Sequence, residues 1–258
     1  MINFEKWHGN GNDFVIINSI EESIKLKKSF IKKIADRNMG VGFDQLIHIG
    51  LPTKDNHDFF VKFYNADGSE AGMCLNGIRC ASSYVWKKSL APKREINLRT
   101  KHMNIKCSPK ADSQVSALIG RPCKIDNQLL DKKLKKIISD DIFLSNIGNN
   151  HLGIKMQSVE KVDLNMLYKK LEKLIKSLDI NLSIFTKKDK FIQIRTYENG
   201  VGETLSCGSA ALCVASHFIN DKAIKIKSFG GQLRFENHQD GILMSGPTNF
   251  IYKGNIDE

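Results

Sequence analysis

Two stretches of this chain, Tyr64–Val85 and Tyr197–Phe218, carry matching residues in the same order. Tyr64 aligns with Tyr197, Glu70 with Glu203, Cys74 with Cys207, Cys80 with Cys213 and Ser83 with Ser216. Each stretch reads as a strand, a polar glycine-bearing turn, a cysteine and then a helix. A fainter echo precedes each one: Gly11–Asp13 and Gly148–Asn150 both lead into strand-like runs. Chance similarity of two strand–turn–helix units is the competing account. The glutamate and both cysteines falling in register make it the weaker one. The repeat therefore confines the chain to two copies of one α/β unit, arranged as two domains.

The 258 residues are enough for two modest domains with cores of their own. Hydrophobic residues at 41% and charged residues at 26% are ordinary globular usage, which sets disorder aside. The opening "MINFEKWHGNGNDF" has no basic segment followed by an apolar run, and no apolar stretch approaches the ~18 residues of a membrane span. A cytoplasmic protein with no membrane partner is the expectation. Six cysteines in such a chain should be thiols, and no Cys-x2-Cys or His-x3-His pair suggests zinc. The net charge of +11 raises nucleic-acid binding. The lysines, however, alternate with Ile and Leu at helical spacing in "EESIKLKKSFIKKIADR" and "LNMLYKKLEKLIKSL", as on solvated helix faces. No arginine-rich arm or aromatic-studded ribonucleoprotein motif accompanies them, so no nucleic-acid partner is expected.

"DFVIIN", "FFVKFYN", "EINLRT", "SALIG", "FIQIRTY", "AIKIKSF" and "GILMSG" read as strands. Glu21–Arg37, Asn76–Lys88, Val162–Leu178 and Gly208–Ile219 read as helices. Regular strand–helix alternation is missing, which argues against a doubly wound nucleotide-binding fold. "GNGNDF" is only loosely like a phosphate loop, lacking the Gly-Lys-Ser ending.

Cys74 and Cys207 each sit where a turn becomes a helix, and the unpaired N–H groups and positive dipole end there favour a thiolate. Cys80 and Cys213 lie about 600° of helix rotation further on, which fits small buried residues. Cys107 and Cys123 have no such context and read as structural. A duplicated fold can set equivalent helix ends on opposite sides of one bound molecule. A thiolate on one side would remove a proton and a thiol on the other would deliver one, inverting a stereocentre without a cofactor. Metal-thiolate or disulfide-exchange chemistry is the competing use of paired cysteines, and the latter wants a Cys-x-x-Cys that is absent.

The stretches "WHGNGNDFVIIN", "ADRNMGVGFDQLI", "FYNADGSEAGMCLNGIRC", "GNNH", "YENGVGETLSCGSAALC" and "MSGPTNFIYKGNI" together resemble the diaminopimelate epimerase family. That family is a branch of the pyridoxal-phosphate-independent amino-acid racemases and epimerases, and the resemblance spans nearly the whole chain in family order. It implies an α/β (α+β) fold of two pseudo-symmetric domains, each a mixed, largely antiparallel sheet wrapped around a central helix, with the active site in the cleft between them. The domains would be residues 1–115 with a C-terminal strand at about 247–258, and residues 116–246. The implied reaction interconverts LL- and meso-diaminopimelate for lysine and peptidoglycan precursors, with no cofactor and no metal. The implied partners are a small amino-acid substrate and a second copy, as a homodimer. Carried over by motif, Cys74 and Cys207 are the acid/base pair, tuned by His151 and Glu198. Asn12, Gln45, Asn65, Asn149, Asn181 and Asn199 fall at substrate-contacting positions. Backbone N–H groups around Leu75, Asn76, Gly208 and Ser209 would hold the reacting carboxylate.

Three positions depart from the family pattern. Leu75 stands where glycine usually follows the first cysteine, so that turn must use an ordinary backbone conformation or carry strain. "GNNH" replaces "GNPH". Asn199 replaces an arginine that pairs with the distal carboxylate of diaminopimelate. A racemase of another amino acid on the same scaffold is the alternative this raises, and a basic polyanion-binding module on an old enzyme fold is the more distant one.

Overall fold

The computed structural model describes residues 1–20, 24–138 and 141–257. In it the chain falls into two units, Met1–Leu118 with Ser245–Glu258, and Ile119–Met244.

The first unit opens with a hairpin of β1 (Ile2–Gly9) and β2 (Asn12–Asn18). The turn residues Asn10 and Gly11 have φ of 55° and 82°. A type I′ hairpin turn needs positive φ at both centres, which Asn-Gly supplies at least cost. "GNGNDF" is thus a hairpin turn that sets Asn12 at the start of β2. The chain crosses through α1 (Lys28–Ala35) into β3 (Gln45–Gly50), parallel to β2. Phe30, Ile31 and Ile34 of α1 bury against Val15, Ile17, Phe43 and Leu46. β4 (Phe59–Asn65) pairs antiparallel with β3, and β5 (Glu70–Ala71) folds back on β4. After α2 (Leu75–Lys87) the chain returns as β6 (Ile96–Arg99), parallel to β4, and continues antiparallel through β7 (Asn104–Pro109) and β8 (Gln114–Ile119). The C-terminal segment Asn249–Ile256 lies antiparallel to β1.

α2 is the centre of this unit. Every residue from Leu75 to Ser82 is buried, and the helix packs on β1, β2, β3, β6 and β7. A helix enclosed on all sides needs small residues where strands approach. Gly77, Cys80, Ala81 and Ser82 provide them. A Cβ at Gly77 would lie 2.5 Å from the Phe63 ring.

The second unit repeats the plan. β9 (Cys123–Lys124) and α3 (Gln128–Ile137) lead into the hairpin of β10 (Ile142–Asn146) and β11 (Asn150–Lys155). α4 (Leu164–Ile175) crosses to β12 (Ile180–Lys187), parallel to β11. β13 (Ile192–Glu198), β14 (Gly202–Thr204), α5 (Gly208–Phe218), β15 (Ile224–Ser228) and β16 (Gly231–His238) then follow with the pairings of β4 to β7. β17 (Gly241–Pro247) carries the chain back to the C-terminal strand, β18 (Asn249–Ile256). β9 pairs antiparallel with β10 as β18 does with β1. α5 is buried along Ala210–Ala215, so it is the counterpart of α2. The mixed, largely antiparallel sheet around a central helix is therefore present twice.

The expected helix Glu21–Arg37 is shorter, Lys28–Ala35, with Glu21–Ser23 outside the described residues. The expected Val162–Leu178 helix ends as α at Ile175 and tightens into a single 3-10 turn, Lys176–Leu178. Asp163 starts it by accepting from Met166 N–H at 2.9 Å, which leaves Val162 outside. α2 begins one residue before the expected Asn76, and α5 stops one residue before Ile219.

Candidate active site

In the first unit the strand ladders bring three amides to one end of the sheet. Phe14 pairs with Gln45, and Gln45 with Asn65, so Asn12, Gln45 and Asn65 share the edge from which α2 begins. Gln45 Nε2 donates to Asn65 Oδ1 at 3.0 Å, and Asn65 Nδ2 donates to Ser69 Oγ at 3.1 Å. Cys74 is the N-cap of α2, and its sulfur accepts from Gly77 N–H at 3.4 Å. The thiol also donates to Asn12 Oδ1 at 3.3 Å, which Asn76 Nδ2 reaches at 3.4 Å. Leu75 is the first residue of the helix, buried, and free of positive φ, so the leucine uses ordinary backbone.

Behind Asn12 stands a charged cluster. Asn12 Nδ2 donates to Asp44 Oδ2 at 2.8 Å. Arg37 bridges Asp13 and Asp44 at 2.8 Å each, and the buried Lys6 binds Asp13 at 2.6 Å and the Gly42 carbonyl. Burial opposes ionisation of Asp13, but Arg37 and Lys6 outweigh it and hold its carboxyl at about 2. Arg79, fully buried in α2, donates to Asn76 Oδ1 at 3.1 Å and to the Leu75 carbonyl at 3.4 Å.

The second unit offers the equivalent end. Cys207 is the N-cap of α5, with Ser209 Oγ 3.4 Å from its sulfur. Gly208 starts the helix. Asn149 Nδ2 donates to Ser209 Oγ at 3.4 Å, and His151 Nε2 meets Asn149 Oδ1 at 3.1 Å. Burial pushes His151 down to about 4, so its ring is neutral near pH 7. His151 pairs with Asn181 across the β11–β12 ladder as Phe14 pairs with Gln45. Leu182 pairs with Tyr197 as Leu46 does with Tyr64, which puts Glu198 at the position of Asn65. Glu198 accepts from Thr204 Oγ1 at 2.7 Å.

Asn199 is held on three sides. Tyr168 donates to its Oδ1 at 2.7 Å, its Nδ2 donates to Asp179, and its N–H donates to Asn181 Oδ1 at 3.0 Å. Tyr168 in turn stacks on Tyr197 at 4.0 Å. In "GNNH", Asn150 accepts from Asn146 at 2.7 Å and donates to the Leu178 carbonyl at 2.8 Å, which secures the hairpin without a proline.

Cys74, Asn12, Gln45, Asn65, Leu75 and Asn76 thus gather in one unit, and Cys207, His151, Glu198, Asn149, Asn181, Asn199, Gly208 and Ser209 in the other. Asp44, Arg37 and Arg79 escape a reading by motif chemistry. Yet Asp44 immediately precedes Gln45 in "GVGFDQ", and Arg79 lies inside "MCLNGIRC". Cys80 and Cys213 are buried, and burial pushes both thiols up to about 12, far from a reactive thiolate. Among the described residues no group of three His, Cys, Asp or Glu side chains is placed to hold a metal ion.

Comparison with known proteins agrees with this duplicated arrangement. Diaminopimelate epimerases from Psychrobacter sp. (strain PRwf-1) and Acinetobacter baumannii (strain AYE) are 31% and 30% identical to it. The first alignment covers 98% of this chain and 94% of the relative, the second 100% and 98%. Among solved structures, a PhzF-family phenazine biosynthesis protein from Bacillus anthracis superposes with a TM-score of 0.74 at 13% identity, covering 100% of this chain and 99% of that one. A hydroxyproline epimerase from Agrobacterium vitis superposes at 0.68 and 10% identity, covering 99% and 90%. At such identities these two likenesses are of fold alone. The sequence profile described as Diaminopimelate epimerase matches residues 4–125 and 143–251, so both units and both cysteine motifs fall within it, and the chain belongs to the diaminopimelate epimerase family.

Proposed function

We propose that this chain interconverts LL- and meso-diaminopimelate, a step of lysine biosynthesis, by passing protons through Cys74 and Cys207. The observation that carries the reading is the topological equivalence of the two cysteines. Each is the N-cap of the buried central helix of its unit. In this reading one thiolate takes the α-proton, and the bonding pair moves into the adjoining carboxylate. The other cysteine then delivers a proton to the opposite face. Backbone N–H groups of Leu75, Asn76, Gly208 and Ser209, at the two helix starts, hold the carboxylate as charge builds on it. Gln45, Asn65, Asn149 and Asn181 supply neutral donors and acceptors for the rest of the substrate. His151 and Glu198 orient the groups around Cys207. The active form is read as a homodimer, supported by β18, where Phe250, Ile251 and Tyr252 remain 38%, 50% and 42% exposed. Sedimentation of the purified protein tests this, and a monomer at working concentration refutes it.

The function is tested by NMR of LL-diaminopimelate in deuterated water. The wild type should exchange the α-hydrogen and form the meso isomer. Cys74→Ala and Cys207→Ala should each abolish inversion, whereas Cys80→Ala and Cys213→Ala should lose packing only. Inversion by Cys74→Ala at the wild-type rate rules the two-thiol mechanism out.

A further inference from the structure

A directed chain of side-chain hydrogen bonds ends at Cys74. Arg79 Nη2 donates to Asn76 Oδ1 at 3.1 Å, which turns Asn76 Nδ2 toward Asn12 Oδ1 at 3.4 Å. Asn12 Nδ2 donates to Asp44 Oδ2 at 2.8 Å. Asp44 is itself pinned by Asp13 N–H at 3.1 Å and Arg37 Nη2 at 2.8 Å. A guanidinium only donates and an ionised carboxylate only accepts. The two ends therefore allow one orientation of both amides. The Asn12 carbonyl is turned to Cys74, whose S–H donates to it at 3.3 Å.

We propose that Asp44 is a positioning residue: it locks the Asn12 amide with its carbonyl toward Cys74 and so holds Cys74 as the thiol, the proton donor, in the resting protein. The proposal rests on the acid/base role given to Cys74 above. An acceptor favours the protonated sulfur. Arg79 and the N-terminal end of α2, with Gly77 N–H at 3.4 Å, work toward the thiolate, and the amide opposes them. The carboxylates of Asp13 and Asp44 are balanced by Lys6 and Arg37. In the second unit the donors run the other way. With Asn149 Oδ1 facing the ring, neutral His151 carries its proton on Nε2 and gives it to that oxygen at 3.1 Å. Asn149 Nδ2 donates to Ser209 Oγ at 3.4 Å, and the serine hydrogen is free to turn to Cys207 Sγ at 3.4 Å. Cys207 can therefore end its chain as an acceptor, the role a thiolate fills best. A turnover then starts with the Cys207 thiolate taking the α-proton and Cys74 S–H giving its own. It ends with the two protonation states exchanged, and proton exchange with solvent restores them.

The test is alkylation of the intact protein by iodoacetamide across a pH series, with each cysteine peptide quantified by mass spectrometry. In the wild type the midpoint for Cys74 should lie above that for Cys207. In Asp44→Asn, the oxygen kept by Arg37 leaves an NH2 facing Asn12 Nδ2 and Asp13 N–H, so the Asn12 amide loses its acceptor and only Asn76 still holds its carbonyl toward the sulfur. The Cys74 midpoint should fall by about one pH unit, about tenfold more thiolate, with Cys207 unmoved. An unshifted Cys74 midpoint in a folded Asp44→Asn protein overturns the proposal. If that variant does not fold, the wild type decides. The Asn12 side-chain amide resonance, assigned by its loss in Asn12→Ala, should be protected from solvent exchange, and exchange at the rate of an unbonded amide overturns the proposal. Inversion by Cys74→Ala is read separately. Its persistence sinks the catalytic reading, whereas its loss together with an unmoved midpoint sinks the role of Asp44 alone.

Discussion

Gly77→Ala adds one methyl group at the point where α2 passes the sheet. The new Cβ would sit 2.5 Å from Phe63 Cε1 and 3.3 Å from both Ile47 Cδ1 and Phe14 Cε1. Ordinary carbon contact is about 3.5 Å, so helix or ring must give by ~1 Å. Phe63, Ile47 and Phe14 are fully buried, which leaves the rings no room to retreat. Alanine gains ~1 kcal/mol of helix propensity over glycine, and overpacking a rigid core costs ~1–3 kcal/mol. The clash wins, with a net loss of ~1 kcal/mol and a melting point lower by about 2–4 °C. The larger effect falls on activity. Gly77 N–H donates to the Cys74 sulfur at 3.4 Å, so moving this turn moves the sulfur with it. A misplacement of about 1 Å at reacting groups costs roughly 100-fold in rate. The assay is α-hydrogen exchange of diaminopimelate beside thermal unfolding followed by circular dichroism. Gly77→Ala/Phe63→Leu should recover part of the rate, because the leucine side chain is smaller than the ring. A Gly77→Ala protein that melts higher than wild type and turns over at the wild-type rate refutes the reasoning.

Asn199→Arg alone should improve affinity for diaminopimelate little, because Asp179 stands ready to capture the guanidinium. Asn199→Arg with Asp179→Asn should lower KM about 10- to 100-fold, and an unchanged KM in the double variant refutes a distal-carboxylate role at this position. Burial holds the folded His151 at about 4 against an ordinary 6.5, so between those values the unfolded chain binds the extra proton. Stability is therefore full above pH 6.5, falls as the pH drops toward 4 by roughly 3 kcal/mol, and levels off below. His48, also lowered to about 4 by burial, adds to the same window. Urea unfolding of His151→Gln across that range should show a shallower decline, and an identical decline refutes the assignment.

Much of this was open to a reader of the sequence. The seven apolar runs taken as strands all fall in strands, because alternation and β-branched content are local properties. The register of Cys74 with Cys207 was visible because both copies kept the turn that leads into the buried helix. α3 was missed although Leu130 and Leu134 sit one turn apart behind the Asn127 cap, since lysines dominate that segment. The sequence pattern overextends α1, because Ile24–Lys27 carry the same charged–apolar alternation as the helix yet lie outside it. The cluster that orients Asn12 was not legible. Arg37, Asp44 and Lys6 meet only once β1, β2 and β3 are side by side, so the motif that holds Arg37 and Asp44 gives no sign of their pairing. The cage around Asn199 is likewise tertiary, with Tyr168 coming from α4 and Asp179 from the turn after it.

The pairing of β18 with β1 sets an order on how the protein can be completed during synthesis. The unit that begins at Met1 lacks β18, the neighbour of β1, until Asn249–Ile256 has been made, whereas Ile119–Met244 is one uninterrupted segment. The later-made half can therefore close first, and the earlier-made half must wait with the β1 edge unsatisfied. Phe4 and Trp7, which meet Tyr252 and Phe250 edge-on in the finished chain, stay uncovered in the interval. At a synthesis rate of about 5–20 residues per second that interval lasts several seconds, long enough for a chaperone to engage. A chain stopped just short of Asn249 would leave β1 without β18 and leave Phe4 and Trp7 without Tyr252 and Phe250, so Asn249–Ile256 is the segment that covers them.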